Sequence, residues 1–158
     1  SVVRSYPPHR KGLTKKNVAF GVGSPNTGWG VLLKETAMAR VLVVDDEPIV
    51  GQVIAQILRR EGHEADAVLC AGDGLQRSRE GRFQVALIDI RLPDIDGLDL
   101  ARRIHSEFPN QRIIIMSGGP EAHDDCYCEM AKTVGISKVI PKPFTHTQLV
   151  SAVLGGHN

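Results

Sequence analysis

Cysteine is scarce in this 158-residue chain: three residues, an odd number, argue against a framework of disulfides and for a reducing compartment. No apolar run approaches the roughly 18 residues that a membrane helix needs, and the amino terminus lacks the charged-then-apolar order of a secretory signal. A cytoplasmic protein without a membrane partner is therefore expected. No Ser–His or Cys–His pairing of the kind that activates a nucleophile is visible, so covalent chemistry falls to a carboxylate. Repeats and low-complexity segments are missing from residues 38–158. What remains is ordinary globular composition, 42% hydrophobic and 23% charged, enough for one core.

The formal charge of +1 conceals two unlike parts. Residues 1–37 carry six Lys or Arg and one acidic residue, and residues 38–158 carry thirteen basic and seventeen acidic, or +5 against −4. The first part holds Pro7-Pro8, a Gly- and Pro-rich stretch from Gly21 to Gly30, and no sustained period of two or 3.6. It cannot bury enough apolar surface to offset the entropy of ordering. Residues 1–37 read as a flexible basic tail or linker rather than a nucleic-acid-binding or lipid-binding arm. Met38, directly before the first strand, is a plausible natural start.

Four runs of β-formers stop abruptly at a polar residue: Val41 to Val44 before Asp45-Asp46, Val85 to Ile88 before Asp89, Ile113 to Met116 before Ser117, and Val139 to Pro141 before Lys142. That is how buried parallel strands read when their carboxyl ends open onto a site. After the first, Ile49, Val50, Val53, Ile54, Ile57 and Leu58 mark one helical face, with Pro48 suited to a first turn and Gly62 to a stop. The cycle recurs: strand Glu64 to Leu69 and a helix from Ala71 to Glu80, strand Gln84 to Ile88 and a helix from Leu98 to Glu107. Strand Arg112 to Met116 then precedes a helix near Glu121 to Thr133, and strand Lys138 to Ile140 a helix from Thr145 to Leu154. Five β–α units predict an α/β fold, a doubly wound parallel sheet with helices on both faces, because crossovers are right-handed.

Ligands of such a sheet bind beyond the strand carboxyl ends, where the winding reverses. With strand order 2-1-3-4-5 that point lies between strands one and three, at Asp45-Asp46 and Asp89. Carboxylates this close repel by about 4 kcal/mol per pair at 4 Å and an effective dielectric near 20. They need a cation, and a ligand set of hard oxygens favours Mg2+, with Mn2+ as a substitute. Asp46 and Asp89 are expected as direct ligands, Asp45 directly or through water, and the Arg91 backbone carbonyl as another. Lys142 can supply a second positive charge and Ser117 a hydroxyl to a phosphoryl group, leaving Asp89 as its acceptor.

In order and spacing, VLVVDD at Val41 to Asp46, LIDIRLPDIDG at Leu87 to Gly97, Met116-Ser117 and Lys142-Pro143-Phe144 resemble the receiver domain of two-component response regulators. The resemblance covers about residues 38–155. It implies a flavodoxin-like (βα)5 fold, magnesium, and a signalling module that is not an enzyme on other substrates. It also implies phosphorylation of Asp89 by a phosphohistidine of a sensor histidine kinase or histidine phosphotransfer protein, and a cis bond before Pro143. Output would run through protein contacts, with a homodimer conceivable through the fourth helix, fifth strand and last helix. A receiver belonging to a larger hybrid kinase or multidomain regulator is the alternative. A phosphatase-like hydrolase using Asp89 is disfavoured, since it needs a second acid where Arg91 stands and a substrate cap.

Two departures from the family pattern carry expectations. Val139 stands where an aromatic switch residue is usual, so signalling would rest on Ser117 and backbone movement, with Gly118-Gly119-Pro120 as the moving segment. Arg91 and Gly119 offer no amide or carboxylate to orient water, which predicts a long-lived phosphoaspartate. Other signals have duller readings. His123, Cys126 and Cys128 suggest a metal, but the two cysteines point to different sides of a helix, and Cys126 reads as packing. Asp94-Ile95-Asp96-Gly97 lacks the later ligands of a calcium loop and reads as a turn and helix cap. Gly21-Val22-Gly23 has no third glycine and no preceding strand. His63, His105 and His146 lie near turns and are expected to be solvated.

Overall fold

The computed structural model describes residues 38–120, 129 and 131–155. Five parallel strands form one sheet in the order β2-β1-β3-β4-β5. They are β1 (Arg40–Val44), β2 (Glu64–Val68), β3 (Val85–Asp89), β4 (Arg112–Ser117) and β5 (Ile136–Pro141). The helices are α1 (Pro48–Arg60), α2 (Ala71–Glu80), α3 (Gly97–Glu107) and α4 (His146–Leu154). Of the helix predicted near Glu121 to Thr133, Glu129 and residues 131–133 are helical. The rest, including His123, Cys126 and Cys128, lies outside the described residues, as does the basic segment 1–37.

The alternation of side chains along each strand divides the core in two. Val41, Val43, Leu87, Ile114 and Met116 pack on one face with Ile54 and Leu58 of α1 and Leu149 and Val153 of α4. Leu42, Val44, Ile88, Ile113 and Ile115 pack on the other with Ala71 of α2 and Leu100 and Ile104 of α3. Each fully buried aliphatic side chain of this kind stabilises the fold by about 1.5–3 kcal/mol. Because both faces are covered, β1, β3 and β4 are apolar at nearly every position. They are the three strands that the sequence marks most sharply.

Edges are harder to read. β5 starts at Ile136, two residues before the predicted start at Lys138, because at the sheet edge Ser137 can be exposed while Ile136 is buried. A register shift between Ile113 and Ile114 accommodates this strand. α1 also differs from expectation. Ile54 and Leu58 are buried, but Ile49 is 79% and Val53 49% exposed, so the apolar stripe is wider than the core requires. His63 corrects the expectation of solvated histidines: it is buried, and its Nδ1 accepts a hydrogen bond from the Ala39 amide at 3.2 Å. His146 is exposed and faces Glu61 at 3.1 Å. Among the described residues no helix is long and apolar enough to cross a membrane.

Candidate functional site: an acidic pocket at the strand ends

Strand register alone carries the site residues to one edge. Val44 pairs with Ile88, so the next residues, Asp45 and Asp89, leave neighbouring strands side by side. Asp89 pairs with Met116 and Ser117 with Pro141, so the ends of β4 and β5 follow in step. The chain winds from β1 outward to β2, then returns across β1 to β3, and the crevice at that reversal holds the acids.

Asp45, Asp46 and Asp89 each present a carboxylate oxygen within 4.8 Å of the others'. Asp45 is fully buried, Asp89 is 7% exposed, and Asp46 lies open to solvent. Lys142 answers the buried pair directly. Its Nζ donates to Asp45 Oδ2 at 2.7 Å and to Asp89 Oδ2 at 2.9 Å. Burial alone would lower the lysine's pKa, but these two hydrogen bonds and the charges behind them outweigh it and raise the pKa above its ordinary value. One ammonium thus contacts two of the three carboxylates, one positive charge among three acids, so the pocket stays rich in negative charge, Asp46 having no share in the contact.

Backbone contacts fix the acids. The Glu47 amide donates to Asp45 Oδ1 at 3.0 Å and the Arg91 amide to Asp89 Oδ1 at 3.2 Å. Ser117 is buried, its Oγ accepts from the Gly119 amide at 3.2 Å, and its carbonyl accepts from the Lys142 amide at 2.6 Å. The Lys142–Pro143 peptide bond is cis. Gly97 allows the chain to fold back under β3, since a Cβ there would lie 2.2 Å from the Asp89 carbonyl oxygen. Asp45, Asp46, Asp89, Ser117 and Lys142 thus gather at one sheet edge, and Arg91 reaches it through its amide while its side chain is exposed. Val139 is half-buried on β5 and packs against the α2–α3 side of the core.

Sequence reading missed an apolar cleft of 510 Å³ beside this pocket, lined by Ile49, Val50, Val53, Ile57, Lys142 and Phe144. Its signal was present in the overly wide apolar stripe of α1.

A family model, the response regulator receiver domain, matches residues 41–154. The chain belongs to this family. The receiver resembles TcrX of Mycobacterium tuberculosis, a probable transcriptional regulatory protein, with 32% identity over 113 residues, 70% of this chain and 46% of that protein. NtrC of Azospirillum brasilense, a DNA-binding transcriptional regulator, is 34% identical over 115 residues, 73% of this chain and 23% of that protein. The chain thus spans half or less of the length of these two curated relatives. Among solved structures, a CheY-like receiver domain protein from Methanospirillum hungatei JF-1 superposes with a TM-score of 0.68. It is 29% identical and covers 74% of this chain and 91% of its own. The flavodoxin-like architecture of the receiver and its place among two-component response regulators follow from these likenesses.

Proposed function

We propose that this receiver accepts a phosphoryl group on Asp89 from a phosphohistidine of a sensor histidine kinase or histidine phosphotransfer protein. The observation that carries the reading is the Asp45–Asp46–Asp89 cluster faced by Lys142, which contacts two of its three members. An acidic cluster alone is commonplace; one with a half-buried ammonium opposite it, at a sheet switch point, is built to gather negative charge.

The donor set suits a hard divalent cation. Asp45, Asp46, Asp89 and the Arg91 carbonyl would hold Mg2+, with Mn2+ as a substitute. Such a cation supplies neutralisation of phosphoryl charge during transfer. The chain's own residues do the rest. An Asp89 oxygen forms the new bond to phosphorus as the phosphorus–nitrogen bond of the donor breaks, and the electron pair stays on the imidazole. Lys142, already hydrogen-bonded to the acceptor, is placed to bind a phosphoryl oxygen, and the Ser117 hydroxyl to bind another. The Gly119 amide holds Ser117 Oγ at the entry of the Gly118-Gly119-Pro120 segment, a route by which binding at Ser117 would move the backbone. Arg91 and Gly119 place no carboxylate or amide side chain to orient water, which supports a slow loss of the phosphoryl group.

The neighbouring cleft supports a protein as the donor. Ile49 and Val53 expose apolar surface next to Phe144 and Lys142, so a partner docked there would bring its reactive group to Asp89. Cytoplasmic location accords with such a partner. The output of the receiver runs through protein contacts, including a homodimer through the segment after β4, β5 and α4. The greater length of the relatives favours a second reading of the chain's context: a receiver module of a multidomain regulator or hybrid kinase, with residues 1–37 as linker and 38–158 as the receiver domain.

Incubation with Mg2+ and a small acyl phosphate, followed by intact mass measurement, tests the proposal. Wild-type protein should gain the mass of one phosphoryl group, and the Asp89→Asn variant none. Equal labelling of the two refutes the assignment.

A further inference from the structure

The loop that follows Asp89 is fastened at two points, and one fastening lies on a different helix. α2 begins at Ala71, and its N-cap residue Cys70 makes no side-chain capping bond. The amides that a helix start leaves without a partner are met instead from more than twenty residues away. Ala71 donates to Asp94 Oδ1 at 2.9 Å and Gly72 to Asp94 Oδ2 at 2.8 Å. A carboxylate is well suited there, because the helix start carries partial positive charge. The Ala71 amide foremost keeps the Asp94 carboxyl below its ordinary pKa; burial opposes it, and the amides of Gly72, Asp94 and Ile95 add to the lowering. Asp94 is thus held as an anionic clamp.

The other fastening is Gly97, whose amide donates to the Ile90 carbonyl at 2.8 Å while its Cα lies against the Asp89 backbone. Arg91 lies between Ile90, which Gly97 holds, and Asp94, and its amide reaches Asp89 Oδ1. α2 itself is seated on the strand that bears the acidic pair. A Cβ on Gly74 would come within 3.0 Å of Val44 Cγ2, one residue before Asp45. The Asp45 amide in turn donates to the Val68 carbonyl at 3.1 Å, at the end of β2. Asp94 therefore ties the Arg91 loop to the framework that carries Asp45 and Asp46.

We propose that Asp94 is a positioning residue of the cation site: by clamping the loop after β3 onto the start of α2, it sets the Arg91 backbone against Asp45, Asp46 and Asp89. The inference rests on the reading of that cluster as a Mg2+ site. Asp94 touches none of the three acids in its role as clamp. Its influence passes through the loop, as that of a partner outside the ligand set commonly does.

Calorimetric titration of the full chain with Mg2+, well below the unfolding temperature, tests it. Asp94→Ala should weaken Mg2+ binding about tenfold, the lower end of the usual cost of losing such a supporting partner. Asp94→Asn, which retains one acceptor oxygen, should recover part of the loss. A control is Arg112→Met, which removes a remote clamp in which the guanidinium donates to the Val153 and Ala152 carbonyls, both at 2.8 Å. It should lower the melting temperature and leave Mg2+ affinity unchanged. If Asp94→Ala does not fold, Asp94→Asn decides: weakened binding supports the clamp. Wild-type affinity in the folded Asp94 variants overturns the inference alone, as does an equal weakening by Arg112→Met. No Mg2+ binding by the wild-type chain overturns the cation site and the inference with it.

Discussion

At the scale of single residues, Lys142 carries the greatest electrostatic burden. It has 20% of its side chain exposed and faces one fully buried carboxylate and one nearly so. Lys142→Met leaves these two carboxylates without their shared cation, a loss of about 3 kcal/mol by the measure of other broken buried pairs. Chemical denaturation in metal-free buffer should show that loss, and Mg2+ should raise the variant's stability by more than the wild type's, because it replaces the missing charge. The pH dependence has a definite sign. The pKa of Lys142 is raised on folding, so the pairing contributes fully below 10.5, the ordinary lysine value, and is lost as pH rises through the higher folded value. Asp45, Asp46, Asp89, Ser117 and Lys142 were all legible in the sequence as polar residues ending apolar runs. Which of the acids Lys142 pairs with was not, since that depends on rotamers and burial rather than on pattern.

At the scale of elements, the loop from β3 to α3 is where local sequence and long-range contact meet. Asp96 caps its own helix, its carboxylate accepting from the Leu98 amide at 2.8 Å, and that much is written in the spacing. Asp94, two residues earlier, caps α2 instead, which no local pattern discloses. Its folded pKa lies below the unperturbed 3.8, so its contribution is whole above 3.8 and fades as pH falls through the lower folded value. NMR titration should find the Ala71 and Gly72 amide shifts moving together, with a midpoint below 3.8. A midpoint at or above that value contradicts the clamp. Gly97 is a second element-scale constraint. Gly97→Ala forces a methyl into the Asp89 carbonyl and should destabilise the fold by about 1–3 kcal/mol, as overpacking does. It should also slow phosphoryl uptake, checked by urea denaturation and by intact mass. Edge strand β5 shows the limit of pattern reading, because a strand covered unevenly need not look apolar throughout.

At the scale of the whole molecule, the sheet order, the two-sided core and the gathering of distant residues were readable because parallel strands buried on both faces leave an unbroken apolar trace. The cleft beside Phe144 was not readable, because Ile49 and Val53 carry the same periodicity as their buried neighbours and only the packing distinguishes them. The same architecture that buries Asp45 and Ser117 leaves Asp46 open, so charge enters the pocket from one side. This arrangement makes the acceptor chemistry specific: phosphate should reside on a carboxylate and not on the neighbouring hydroxyl. After incubation with Mg2+ and a small acyl phosphate, borohydride reduction and peptide mass mapping distinguish the two. An acyl phosphate at position 89 is reduced to homoserine there, and the account predicts that product only when Mg2+ is present. A phosphate ester retained on Ser117, or an unreduced Asp89 under the same conditions, would contradict it.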